Sequence, residues 1–218
     1  MKTLAALNQS SRKVELAWKV NPHDKYVCCQ CGKAMQVAFG DPLHFTHIGE
    51  TCGGSKWLHD YAIQVLADKS IGKCFALPGA ASGMHGRVES APRAEIVIPN
   101  HKGKLSSARR VDVGMKACIH EHNHNHPIGH LVIEVTNTSG KDAAFVDDMK
   151  RLRISVCEFE LGRMLHEQYP HRTKDKFVTA VINTWVNNGS HYKRWLHVEQ
   201  PFRAAYDKWM RQRSYGRT

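Results

Sequence analysis

The chain has 218 residues, 42% hydrophobic and 23% charged, enough for one sizeable core and a small appendage. Its net charge of +11 points to a polyanionic partner, nucleic acid before an anionic membrane surface, and no stretch approaches the roughly 20 apolar residues that span a bilayer. The apolar run in residues 1–8 is too short for a secretory signal, so a cytoplasmic protein with no membrane partner is expected.

Residues 1–25 offer one strand candidate, 14–18. Seven cysteines are an odd number, and three of them crowd into Cys28-Cys29-Gln30-Cys31. In a reducing compartment such crowding suggests a metal before a disulfide. Cys28 and Cys31 form a C-x-x-C followed by glycine, the shape of a zinc knuckle. A tetrahedral site needs two more soft or borderline donors, and His47 with Cys52 can supply them. His44 and Cys29 are the alternate donors. The competing reading is a cluster of buried thiols.

Ser55 looks like an N-cap for a helix whose apolar face is Leu58, Tyr61, Ala62, Val65 and Leu66, with His59 and Asp60 in its first turns. Residues 77–92, rich in Gly, Ser and Pro, read as a loop, and 94–98 as a strand. Two further strands follow at 107–114 and 131–136, each with one carboxylate among branched apolar residues. Alternation puts Val111 and Val113 on one face, with Arg110, Asp112 and Gly114 on the other. By the same parity Ile133 and Val135 face a core and Glu134 shares its face with Thr136. A carboxylate in such a setting loses its hydration unless a cation or donor replaces it. If the strands pair, Asp112 and Glu134 can meet and hold a hard divalent cation, magnesium or manganese. Two solvated carboxylates on an ordinary hairpin are the alternative. Between these strands lie His120, His122, His124 and His126. Their Asn and Pro neighbours favour a solvated hairpin tip over a transition-metal site.

A helix carrying Phe145, Met149 and Leu152 leads into a strand from 154, where Cys157, Phe159 and Leu161 alternate with Glu158 and Glu160. Strand, helix and strand form a crossover unit, so the expected architecture is α/β, a mixed central sheet flanked by helices. Residues 161–218 hold eleven Lys/Arg against four Asp/Glu, and so carry +7 of the net charge. Thr173 reads as the cap of a helix with Phe177, Val178, Val181, Ile182 and Trp185 on one face. Tyr192–Leu196 reads as a strand, and a last helix interleaves Phe202, Tyr206 and Trp209 with basic residues. Basic residues alternating with aromatics suit phosphate contact plus base stacking. Arg110, Lys193, Arg194, Lys208, Arg211 and Arg213 are the expected nucleic-acid contacts.

The order of these parts resembles the CoiA-like competence nuclease family of the PD-(D/E)xK nuclease superfamily. The pieces are Cys28/Cys31, His44-Phe45-Thr46-His47, Cys52, Ser55/His59, Arg110/Asp112/Val113 and Ile133/Glu134/Val135, over roughly residues 26–160. The resemblance implies a nuclease-like core at 55–161, between an N-terminal segment 1–54 with the zinc knuckle and a basic, mainly helical extension 162–218. It implies hydrolysis of DNA phosphodiester bonds, structural zinc on Cys28, Cys31, His47 and Cys52, and catalytic magnesium or manganese on Asp112 and Glu134. His59 and Thr136 would position reacting groups. Two departures stand out: Gly54 replaces the glutamate usual before the serine, and Thr136 occupies the third position of E-x-K. Threonine can hydrogen-bond a water but brings no charge.

Overall fold

The computed structural model describes residues 3–40, 43–52, 56–78, 85–100, 105, 107–121, 124–137, 141–168, 177–188, 191–199, 203–204, 207 and 211. The expected caps Ser55 and Thr173 lie outside them, as do Lys208, Trp209 and Arg213.

The N-terminal strands are β1 (Ala5–Asn8), β2 (Val14–Leu16), β3 (Tyr26–Val27), β4 (Ala34–Ala38) and β5 (His44–His47). They form an antiparallel sheet in the order β2-β1-β3-β4-β5. The expected strand at 14–18 is shorter, because Ala17–Lys19 turns into a single 3-10 turn. Helix α1 (Lys56–Ala67) follows, then β6 (Cys74–Phe75), β7 (His85–Val88), β8 (Arg93–Ile98), β9 (Arg109–Glu121) and β10 (His124–Thr136). Strand β7 lies inside the stretch read as a loop; it pairs with residues 117–120 of β9, where Val88 is buried. Both long strands also run into the histidine-rich stretch, with Asn125 opposite His120 and His124 opposite Glu121.

The chain continues through α2 (Ala143–Arg151), β11 (Ser155–Glu160), α3 (Leu161–Gln168), α4 (Phe177–Asn188) and β12 (Lys193–His197). The second sheet has the order β12-β11-β10-β9-β7-β6, with β8 added to the other half of β9. Strands β10 and β11 are parallel, so α2 is the crossover helix. Its start is fixed by Asp142, whose carboxylate accepts the Phe145 N–H at 2.7 Å. Leu161 does not continue the alternation of β11; it opens α3, and its side chain is fully buried. There Gly162 lies against the Asn137 carbonyl so closely that a Cβ would stand 1.7 Å from that oxygen.

Helices cover both faces of this sheet. Val113, Met115, Leu131, Ile133, Val135 and Phe159 pack with Trp57, Leu66, Met164 and Ile182 from α1, α3 and α4. Phe145 and Met149 of α2 pack on Val111, Val132 and Val156 from the opposite side. Strand β11 is buried on both faces, as a central parallel strand must be. Leu4, Ala5, Val14 and Leu16 join the first cluster, so segments 1–54, 55–161 and 162–218 share one core. No helix among the described residues is long and apolar enough to cross a membrane.

The expected parity fails at one point. Val111 and Val113 belong to clusters on opposite faces of the sheet. The adjacent strand β8 supplies a reason: between the pairs Ala94↔Val113 and Ile96↔Val111, Glu95 adopts the left-handed region at φ 50. The sheet is irregular beside Asp112, where the chemistry was expected.

Candidate functional site

The knuckle is built on a tight turn after β3. Gly32 sits at φ 69, its N–H donates to the Cys28 carbonyl at 2.9 Å, and the Gln30 N–H points at Cys28 Sγ at 3.4 Å. Strand β5 brings His47 to it, and Cys52 follows five residues later. The donor atoms of Cys28, Cys31, His47 and Cys52 all lie within 4.8 Å of one another. Three of the edges are Cys28 Sγ to Cys52 Sγ at 3.5 Å, and His47 Nε2 to Cys31 Sγ and to Cys52 Sγ, each at 3.4 Å. Zn–S bonds of about 2.3 Å and Zn–N bonds of about 2.0–2.1 Å put tetrahedral neighbours roughly 3.5–3.8 Å apart, close to the observed edges. The four donors fit one zinc ion and can hold it. Neither alternate joins them. Cys29 packs against the main core instead, and burial pushes its thiol up to about 12.

Asp112 and Glu134 meet where β9 and β10 part. The ladder runs as far as Ile133↔Val113, and from there side chains replace it. The Asp112 N–H points at Glu134 Oε1 at 3.3 Å, and the Val135 N–H donates to Asp112 Oδ2 at 2.8 Å. Glu134 is fully buried. That burial and the neighbouring Asp112 charge push its carboxyl up to about 7, against the pull of Lys141. Burial would also raise Asp112, but His59, the Val135 N–H and Lys141 hold it below the usual carboxylate range. The Asp112 charge acts on Glu134, and a divalent cation held by both carboxyls would relieve that repulsion.

His59, on the first turn of α1, stands between two acids. Its Nε2 is 3.5 Å from Asp112 Oδ2 and its Nδ1 3.4 Å from Asp60 Oδ1. Burial, which opposes the charged ring, is outweighed by these partners, and its pKa rises to about 9. Thr136 turns its hydroxyl to the Phe159 carbonyl at 3.4 Å, into the sheet. The residue that the sequence reading missed is Lys141, just before α2, with Nζ 2.7 Å from Glu134 Oε2. Seven positions from Glu134 and outside any strand pattern, it gave no signal.

The expected nucleic-acid contacts divide. Arg110 is exposed and pairs with Glu95. Arg194 pairs with Glu158 and Glu160 but keeps more than half of its side chain exposed. Arg211 is exposed and donates to the Asp207 carbonyl at 3.2 Å. Lys193 is a correction: it is buried, and its Nζ donates to the carbonyls of Val186 at 2.7 Å and Ala76 at 3.0 Å. It closes the end of α4 and cannot reach a phosphate. A surface signal that the sequence reading also missed lies along β8, β9 and β10: a cavity of about 480 Å³, whose lining includes Ile96, Val111 and Val132 together with Arg93, Lys116 and His130.

Compared with protein-family models, curated proteins and solved structures, the chain matches none.

Proposed function

We propose that the protein is a divalent-metal-dependent nuclease that hydrolyses DNA phosphodiester bonds in the cytoplasm, on a PD-(D/E)xK-like core of the CoiA-like type with a structural zinc knuckle. One observation carries this reading: two carboxylates on adjacent strands, each accepting an N–H from the other strand, at the point where the strands part and the sheet is irregular. Magnesium or manganese bound there supplies an activated water and neutralises charge at the scissile phosphate. The chain's own residues prepare that position. His59 and the Val135 N–H keep Asp112 ionised and oriented, and the Asp112 N–H orients Glu134. Arg110 and the basic residues lining the neighbouring cavity offer phosphate contacts, and the +11 charge steers DNA toward them. A zinc ion held by Cys28, Cys31, His47 and Cys52 would tie β3, β5 and the segment after β5 together, and Cys29 of the knuckle packs against the core that includes α1.

A second reading is favoured by Thr136, whose hydroxyl is spent on a backbone carbonyl. In that reading the protein binds DNA without cleaving it. Alanine variants separate the two. Asp112→Ala and Glu134→Ala should each abolish cleavage, because ligands of one ion fail as a unit, while DNA affinity stays equal or tightens. Variants that behave identically to an inactive wild type would leave the DNA-binding reading standing.

A further inference from the structure

We propose that Lys141 is a built-in counter-ion of the acid pair, displaced from Glu134 by the incoming divalent cation and then presented to the phosphate. The second half rests on the nuclease reading; the first stands without it.

Glu134 is fully buried, and its two oxygens have different surroundings. Oε1 is held by the Asp112 N–H, while Oε2 faces the Lys141 ammonium at 2.7 Å. Asp112 has its own cation in His59, whose ring is wedged between Asp60 and Asp112 on a helix. The two cations differ in how they are held. His59 is fixed by two carboxylates. Lys141 sits on a flexible four-carbon stem in the short connection before α2, with 31% of its side chain exposed. Its ammonium also lies 5.3 Å from the Phe145 ring centroid, a weak resting place on the same helix. The adjacent Asp142 does not compete for it, because its carboxylate caps the helix through the Phe145 N–H.

A divalent cation that takes Glu134 Oε2 therefore meets an ammonium already there. Two cations cannot share that oxygen at close range without strong repulsion, so entry of the metal displaces the lysine. The stem keeps the released ammonium beside the acid pair, with its charge no longer neutralised by Glu134. That is the place for a positive charge to stabilise the anionic transition state of phosphodiester hydrolysis. Thr136 has no charge to offer there, and its hydroxyl is already engaged.

The arrangement predicts effects of opposite sign. Manganese binding to the zinc-loaded full chain is titrated by electron paramagnetic resonance, and single-turnover cleavage of a DNA duplex is measured on the same samples. Lys141→Met should bind manganese about tenfold more tightly, because a competitor is gone. It should cleave about a hundredfold more slowly. Lys141→Gln, a second variant should the first fold poorly, should show the same pair of changes. Unchanged or weaker manganese binding in the variants overturns the proposal. Tighter binding with unchanged cleavage overturns the phosphate half alone. Tighter binding with no cleavage by any protein, wild type included, keeps the counter-ion and rejects the nuclease reading.

Discussion

Replacing Glu134 with glutamine should make the protein more stable at pH 8 while removing the proposed activity. Burial and the Asp112 charge lift the Glu134 carboxyl from 4.5 to about 7. At about 1.36 kcal/mol per unit, ionising it in the folded protein costs about 3 kcal/mol. The sign follows from an acid whose folded pKa is raised: the folded state holds the proton more tightly. The contribution of Glu134 to stability is therefore greatest below pH 4.5, falls as pH rises toward 7, and is flat above. Glutamine does not ionise and escapes the fall. That cost already includes the attraction of Lys141, which pulls the carboxyl down. The gain of about 3 kcal/mol corresponds to a Tm higher by about 6–12 °C for a chain of this size. The gap should shrink to less than half at pH 5, where Glu134 already carries its proton in the fold. Thermal unfolding followed by circular dichroism, on zinc-loaded protein with no other divalent ion, measures both. A variant no more stable than wild type at pH 8, or a gap that does not narrow at pH 5, would show that ionised Glu134 does not burden the fold.

Elemental analysis of protein purified without added metal should find about one zinc per chain, and Cys31→Ser should lose both zinc and fold; a folded, zinc-free wild type would exclude the site. Lys193→Met should leave DNA affinity and its salt dependence unchanged, since the ammonium is buried against two carbonyls. Burial lowers that lysine to about 7, so the folded state sheds its proton early and wild-type stability should rise between pH 7 and 10.5. The variant should lack that rise, as unfolding at the two pH values will show. Neutralising Lys208, Arg211 and Arg213 together should weaken DNA binding and flatten its salt dependence, read from fluorescence anisotropy at several salt concentrations; an unchanged slope would place the binding surface elsewhere.

The parts of the site legible in the sequence are those whose geometry is local. Cys28 and Cys31 lie on one turn, and His47 and Cys52 fall within 25 residues of them, so spacing favoured this donor set and left only His44 and Cys29 as alternates, which the structure removes. Alternation likewise placed Asp112 and Glu134 on neighbouring strands, and Ile133 and Val135 in the core. Parity failed between Val111 and Val113, where the neighbouring Glu95 leaves the extended region, and no single-strand pattern reports a neighbour's backbone. Lys141 was invisible for a related reason: its contact with Glu134 depends on where the crossover helix begins, not on any repeat. Lys193 was misread because charge signals an exposed side chain by default, whereas here two carbonyls offset its burial. Strand β7 hid in a Gly-rich stretch because pairing with β9, not propensity, holds it extended.

Metal-dependent cleavage of DNA at the Asp112–Glu134 pair is open to a single incubation series. The most direct measurement incubates zinc-loaded wild type with supercoiled plasmid and with single-stranded circles, with magnesium, with manganese, and with a chelator added in excess of the divalent ion. Cleaved product that needs magnesium or manganese, stops on chelation, and disappears in Asp112→Ala is the predicted result. No metal-dependent product from either DNA, with protein that is folded and binds both, would mean that the pair does not cleave DNA.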